Sequence, residues 1–256
     1  MLTIREYKQA TTLEEAWQLN QKRPNRMRLS KSNVQTAIDL SALGLDTIEE
    51  TETEFRIGAM VSLRQLELHE GFTAYSEGAN KEALRHIVGV QFRNLATVGG
   101  SVFGRFGFSD VLTLLLVMDS YVELYKGGIV PVTDFVNMPY DRDILVRVIV
   151  KKTAAHYSYK SVRISKTDFP VLTCAAALTQ EGVQAAVGAR PAKAALVKDV
   201  EQLATLPMTA EKAQAFAEYA AGLLPTETNP RGSAAYRTHL IKVLTARCLT
   251  ELGGKA

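Results

Sequence analysis

Apolar residues recur along this chain in two rhythms. Thr12-Leu-Glu-Glu15 reads as a capping box opening an amphipathic helix through Ala16, Trp17 and Leu19. The residues before it, Met1 to Tyr7, read as a polar, helix-like stretch, and Arg23 to Asn33 as a basic, turn-rich segment. Thr36–Leu40 and Phe55–Ala59 are short strands around an acidic turn, Glu49 to Glu54, with a helix from Ser62 to Leu68 after them. Further on, the pattern predicts helices at Lys81–Val88 and Ser109–Met118, a strand at Tyr121–Tyr125, a Gly127-Gly128 turn and a strand over Asp143–Lys151. Beyond Lys152 the rhythm changes. Ala155–Lys160, Val171–Leu178 and Val183–Gly188 alternate as strands, and two Ala-rich helices follow at Thr209–Leu223 and Ser233–Glu251, parted by Pro225 to Asn229. The expected class is α+β, with one domain over residues 1–152 and a smaller α+β domain over 153–256 built on a three-stranded sheet with helices.

Composition narrows the chemistry. The 256 residues carry 30 basic and 27 acidic side chains, and their short basic patches lack interleaved aromatic platforms, which argues against nucleic-acid binding. The longest apolar run, Val111 to Met118, is far short of the roughly 20 residues of a membrane span. With no leader-like basic and apolar pattern at the start, the expectation is a cytoplasmic protein. Cys174 and Cys248 stand apart from each other and from every His, so metal and iron–sulfur sites lack ligands in this chain. His69, His86, His156 and His239 have no helical-spacing partners.

The most unusual stretch is Gln91-Phe-Arg-Asn-Leu-Ala-Thr-Val-Gly-Gly100-Ser-Val-Phe-Gly104. Gly99 and Gly100 let backbone amides approach a diphosphate, with Thr97 and Ser101 hydroxyls beside them, although such a pair is equally a plain turn. The spacing fits neither a dinucleotide fingerprint nor a Walker loop. Asp110 stands at the start of a buried helix, as a cap or as an acceptor for a sugar hydroxyl. Phe103, Phe106 and Phe108 alternate with Gly and Arg in the intervening loop, either as packing or facing a ring or partner.

Gln91 to Ser101, followed by Ser109-Asp110, resembles the flavin-binding signature of the FAD subunits of molybdenum hydroxylases, the xanthine dehydrogenase and carbon monoxide dehydrogenase flavoprotein family. Ala37–Ser41, Arg56–Ala59, Asp143–Val146, Lys160–Asp168 and Arg231–Arg237 match further family segments in order. The resemblance implies a two-part FAD-binding domain of the vanillyl-alcohol-oxidase-like type. It implies that Thr97, Val98, Gly99, Gly100 and Ser101, flanked by Ala96 and Ser109, wrap the diphosphate and ribityl portion of FAD, and that Asp110 holds hydroxyls. Leu145 falls where the family's strand meets the adenine, Ile87 at the cofactor wall and Lys160 near the isoalloxazine, where an ammonium would favour the reduced ring. Asp168 orients a basic neighbour or caps a turn.

The family also carries a second glycine-rich segment after the first helix, and Arg23 to Asn33 contains no glycine. Either half of the phosphate cradle is lost, or the sequence is short of a mobile loop there, the reading its normal flanks favour. The implied function is electron transfer: this subunit takes electrons from a [2Fe-2S] partner, beside a molybdenum-cofactor subunit, and passes them to NAD+ or another acceptor. The alternatives are a flavin-free assembly subunit of the same fold and a free-standing binding protein.

Overall fold

The computed structural model describes residues 3–22 and 33–255, so nearly all of the glycine-free segment lies outside the described residues. The chain opens with strand β1 (Thr3–Gln9), helix α1 (Leu13–Gln21) and strand β2 (Asn33–Asp39), and β1 and β2 pair in parallel. The start of the chain is therefore a strand where a helix-like stretch was expected. Every residue of β1 is exposed, so no apolar face marks it, and its hydrogen bonds come from a partner thirty residues away. Thr12 caps α1 as expected, its hydroxyl accepting from the Glu15 amide at 3.1 Å. The Glu15 carboxylate reaches one residue further back than a standard box, to the Thr11 amide at 2.8 Å.

A five-stranded antiparallel sheet follows in the order β3-β4-β7-β5-β6, made of β3 (Ile48–Glu50), β4 (Glu54–Gly58), β5 (Ser120–Leu124), β6 (Gly128–Pro131) and β7 (Leu145–Lys151). The acidic turn is narrower than expected because Ile48–Glu50 pairs as β3, leaving Thr51 to close the bend by accepting from the Glu54 amide at 3.0 Å. Between β4 and β5 the chain folds six short helices: α2 (Leu63–Leu68), α3 (Glu70–Tyr75), α4 (Ala79–Leu84), α5 (Val90–Arg93), α6 (Val98–Phe103) and α7 (Asp110–Leu115). A further short helix, α8 (Val132–Phe135), joins β6 towards β7. Ser62 and Gln65 form a reciprocal capping box at α2, and Ser109 caps α7.

The remaining sheet has four antiparallel strands, not the three expected: β8 (Ala155–Val162), β9 (Leu172–Thr179), β10 (Gly182–Gly188) and β11 (Ala195–Lys198). β11 is four residues long and sits at an edge, too short for alternation to declare it. Helices α9 (Ala210–Leu223) and α10 (Ala234–Gly253) cover one face of this sheet. The other face, with Tyr157, Tyr159, Ala175 and Ala177, joins the large core formed by α2 to α7 and the five-stranded sheet. Buried on both faces, β9 reads as the near-continuous apolar run Leu-Thr-Cys-Ala-Ala-Ala-Leu. Among the described residues, no helix is long and apolar enough to cross a membrane.

Candidate functional site

The Gly-Gly pair is not a turn but the first turn of α6. Thr97 adopts extended backbone and caps the helix, accepting from the Gly100 amide at 3.1 Å. Two amides of that helix turn are spent on the neighbouring loop: Val98 donates to the Val61 carbonyl and Gly99 to the Ala59 carbonyl, both at 2.9 Å. The Ala59 amide in turn donates to the Val146 carbonyl at 2.9 Å, next to Leu145 on β7. Gly99 is required by this contact, since a Cβ there would lie 2.6 Å from the Ala59 oxygen.

Gly100 is different. It is exposed, and a Cβ would meet only the Thr97 hydroxyl, at 3.3 Å. One side-chain oxygen, which can give by a few tenths of an ångström, is all that crowds the position, and a helical glycine costs about 0.5–1 kcal/mol against alanine. An open position of this kind suits close approach of a bulky group from outside the chain, which is how the residues present fit a dinucleotide diphosphate.

Ser101 and Ser109 join the cluster directly, the Ser109 hydroxyl donating to the Ser101 carbonyl at 2.8 Å. Ala96 lies one residue before the cap, its carbonyl accepting from the Leu63 amide at 2.8 Å. The structure thus gathers Ala96 to Ser101, Ser109 and Asp110 around α6 and the start of α7, with Leu145 one strand away. The Leu145 side chain is buried.

Asp110 has a protein partner for each oxygen. It is 5% exposed, accepts from the Tyr159 hydroxyl at 2.6 Å, and takes the Arg163 Nη2 on both oxygens at 2.7 and 2.8 Å. Its carboxylate is therefore committed inside the protein rather than presented to a sugar. Burial pushes the Asp110 acid up while Arg163 and the Tyr159 hydroxyl pull it down, and burial beside this carboxylate holds the Tyr159 phenol well above its ordinary value. Arg163 also donates from Nε to the Asp168 carbonyl at 3.0 Å, tying the 163–168 turn to α7. Asp168 does both things expected of it. Its carboxylate accepts from the Phe169 amide at 2.7 Å and pairs with Arg231 at 3.7 Å.

Lys160 is not brought to this cluster. Its neighbour Tyr159 points towards Asp110, and alternation along β8 sends Lys160 to the opposite face. There its Nζ donates to Glu251 of α10 at 2.6 Å, and it lines a separate open cavity of about 570 Å³ with Gln214, Arg247 and Thr250. Arg163 and Tyr159 are the residues that sequence reasoning missed. Arg163 sits inside the quoted Lys160–Asp168 segment, and Tyr159 was one step of alternation from the lysine chosen.

Ile87 is half-buried against the main core and ends a turn held by a buried ion pair. Arg93, 4% exposed, donates from Nη1 to the Arg85 and Ile87 carbonyls at 3.3 and 3.1 Å and from Nε to Glu67 at 2.9 Å. The next residue, Val88, has a φ of +48°, an unusual conformation for a β-branched side chain. Against burial, which raises it, Arg64 and Arg93 hold the Glu67 acid below its ordinary value. A carboxylate lowered in the folded state stabilises the fold above its unfolded value and ceases to do so as pH falls. Glu67→Gln is thus expected to flatten the loss of stability below about pH 4 by up to ~1.4 kcal/mol per pH unit, as read by urea unfolding at stepped pH.

Beyond α6, the Phe106 and Phe108 rings stack 5.1 Å apart at 9°, and Phe108 meets Phe169 edge-on at 4.7 Å. Phe108 and Phe169, with Arg231 and Lys193, border a cavity of about 380 Å³ between the α6–α7 loop and the loop after β8. All three rings remain partly exposed.

The family described as the FAD binding domain in molybdopterin dehydrogenase matches residues 3–152, and the CO dehydrogenase flavoprotein C-terminal domain matches residues 157–252. The chain is 29% identical over 218 residues to the uncharacterized protein YgfM of Escherichia coli K12, covering 85% of this chain and 80% of that one. It is 26% identical over 244 residues to the nicotine 6-hydroxylase medium subunit of Paenarthrobacter nicotinovorans, covering 90% and 85%. In fold it is similar to quinoline 2-oxidoreductase from Pseudomonas putida 86, with a TM-score of 0.83 at 21% identity over 100% of this chain and 99% of that one. A carbon monoxide dehydrogenase chain from Hydrogenophaga pseudoflava gives a TM-score of 0.86 at 20% identity over the same shares. The capped glycine helix and the two matched domains together place the chain in the molybdenum hydroxylase family, as one of its FAD-binding subunits.

Proposed function

We propose that this chain is the electron-transfer subunit of a multi-subunit molybdenum hydroxylase, receiving electrons from a [2Fe-2S] partner beside a molybdenum-cofactor subunit and delivering them to NAD+. The single observation that carries the placement of FAD is Gly100, exposed on α6, where a side chain would meet only the Thr97 hydroxyl. When bound, the flavin supplies the exchange between single electrons and hydride. The chain's own residues do the holding. Thr97 fixes the start of α6, Gly99 docks it on Ala59, Gly100 leaves room for phosphate oxygens, and Ser101 and Ser109 tie α6 to α7. The Asp110–Arg163 pair fastens the 163–168 turn against α7, which sets the seam between residues 1–152 and 153–256. The cavity edged by Phe108, Phe169, Arg231 and Lys193 suits an acceptor with a flat ring and negative charge, as NAD+ has.

The test is Gly100→Ala. A methyl group there asks the Thr97 hydroxyl to give by only a few tenths of an ångström and occupies the space proposed for the cofactor, so FAD affinity is expected to fall about tenfold or more. The melting temperature should stay level or rise slightly, since alanine is the better helix former. FAD affinity unchanged in this variant would move the cofactor away from α6. The flavin-free assembly reading rests on one specific observation, that Val98, Gly99 and Gly100 already spend their amides inside the chain. A purified wild-type chain that is colourless and takes up no added FAD would favour it.

A further inference from the structure

Arg105 stands at the far end of the glycine helix. It follows Gly104, its amide donates to the Val102 carbonyl at 3.0 Å, and its φ is +47°. The residue is 2% exposed. Its Nε donates to the Phe135 carbonyl at 2.9 Å, but Nη1 and Nη2 are buried with no hydrogen-bond partner. Aromatic rings surround the guanidinium carbon, with centroids at 3.9 Å for Phe135, 4.9 Å for Tyr140 and 5.4 Å for Phe103. The Asp141 charge reaches it only through space. Ring faces attract a cation, yet they do not satisfy four directed N–H donors.

A permanent cation buried with four unpaired donors calls for an anion offering several acceptor oxygens, which a phosphate does. One wall of the cage is light. Phe135 is fully buried, whereas Tyr140 is 64% exposed and tethered by its hydroxyl to the Gly104 carbonyl at 2.6 Å. Six-residue α6 is about 9 Å long, so its two ends fall within the reach of a dinucleotide's diphosphate and ribose.

We propose that Arg105 is a phosphate ligand of the bound FAD, taking a diphosphate oxygen on its free guanidinium nitrogens once Tyr140 swings aside. The proposal rests on the FAD reading above. It also answers a shortage, because residues 23–33, where the resemblance places the other half of the phosphate cradle, contain no glycine.

The experiment titrates FAD, ADP and riboflavin into the full chain, wild type and Arg105→Met. FAD and ADP affinities are expected to drop at least tenfold and riboflavin affinity less than twofold. Inorganic pyrophosphate should raise the melting temperature of the wild type and of Tyr140→Ala, and leave that of Arg105→Met unmoved. Equal weakening of FAD and riboflavin, or unaltered ADP binding, would overturn the assignment and leave Arg105 a packing residue. If Arg105→Met does not fold, Arg105→Lys carries the comparison: a fivefold or larger loss confined to ADP and FAD supports the ligand, and unchanged ADP affinity removes it. A wild type that binds neither FAD nor riboflavin overturns the flavin reading instead. The pyrophosphate arm then decides Arg105 by itself, with protection of the wild type alone in favour and no protection against.

Discussion

Replacing Asp110 by alanine is expected to destabilise the protein by about 3–5 kcal/mol, because it strands a guanidinium that has been taken out of water. Arg163 has a side chain only 7% exposed, and its Nη2 has the two Asp110 oxygens as its partners. Tyr159, fully buried in its phenol, loses the acceptor for its hydroxyl in the same stroke. For a chain of this size each kcal/mol lowers the melting temperature by roughly 2–4 °C, so a fall on the order of 10 °C or more should appear in a thermal scan. Arg163→Met alone should be comparably damaging, since it leaves the carboxylate buried without its counter-charge. The double variant should cost much less than the sum of the two, as neither charge is then left behind. Additive losses would mean that the two groups do not act as a pair. Tyr159→Phe removes one hydrogen bond to the carboxylate and should cost about 1.5–3 kcal/mol.

Gly99→Ala should rank next, at about 2–4 kcal/mol. Its Cβ would lie 2.6 Å from the Ala59 oxygen, 2.7 Å from its Cβ and 3.0 Å from its Cα, and two of those three atoms are backbone. No rotamer change relieves that overlap, so α6 must back away from the Ala59 loop, at the 1–3 kcal/mol typical of overpacking. Retreat also stretches the Gly99–Ala59 and Val98–Val61 hydrogen bonds, each worth about 1 kcal/mol. A urea transition with a lower midpoint and an unchanged slope would report this as lost stability of an intact fold. One residue along, Gly100→Ala is expected to leave the same transition in place. Adjacent glycines thus separate two causes, one inside the protein and one outside it.

That separation marks what could be read from the sequence and what could not. The helices α9 and α10 and the strands β8 to β10 were plain, because long apolar periods announce buried faces irrespective of tertiary detail. Strand β1 was not, because an exposed strand carries no apolar rhythm and its partner is distant. The glycine-rich stretch was legible as a candidate site, and the resemblance covered nearly the whole chain. Its geometry was hidden for a simple reason: whether a glycine serves packing or a ligand depends on what stands 3 Å away. The same holds for Lys160, whose position in a family segment says nothing of which face of β8 it occupies. Arg163 was in view but unassigned, since its partner Asp110 lies fifty-three residues earlier. Arg105 had no helical or strand period to place it, only the cage that folding builds.

The β1–α1–β2 unit has a consequence of its own. Among the described residues, the core beneath it is small and shared with the main body: Ala10 and Ala16 are buried against Ile144, with Leu13, Trp17, Ile38, Leu40, Leu43 and Tyr125 packed around them. Few apolar contacts hold such a unit, so its amides are expected to exchange with solvent by local excursions while those of the two larger sheets await global unfolding, as hydrogen exchange would read. On the FAD reading proposed above, a cofactor held between this unit and the main body would be released at the rate of those excursions, making its turnover a property of a small local core rather than of the cores that carry the stability.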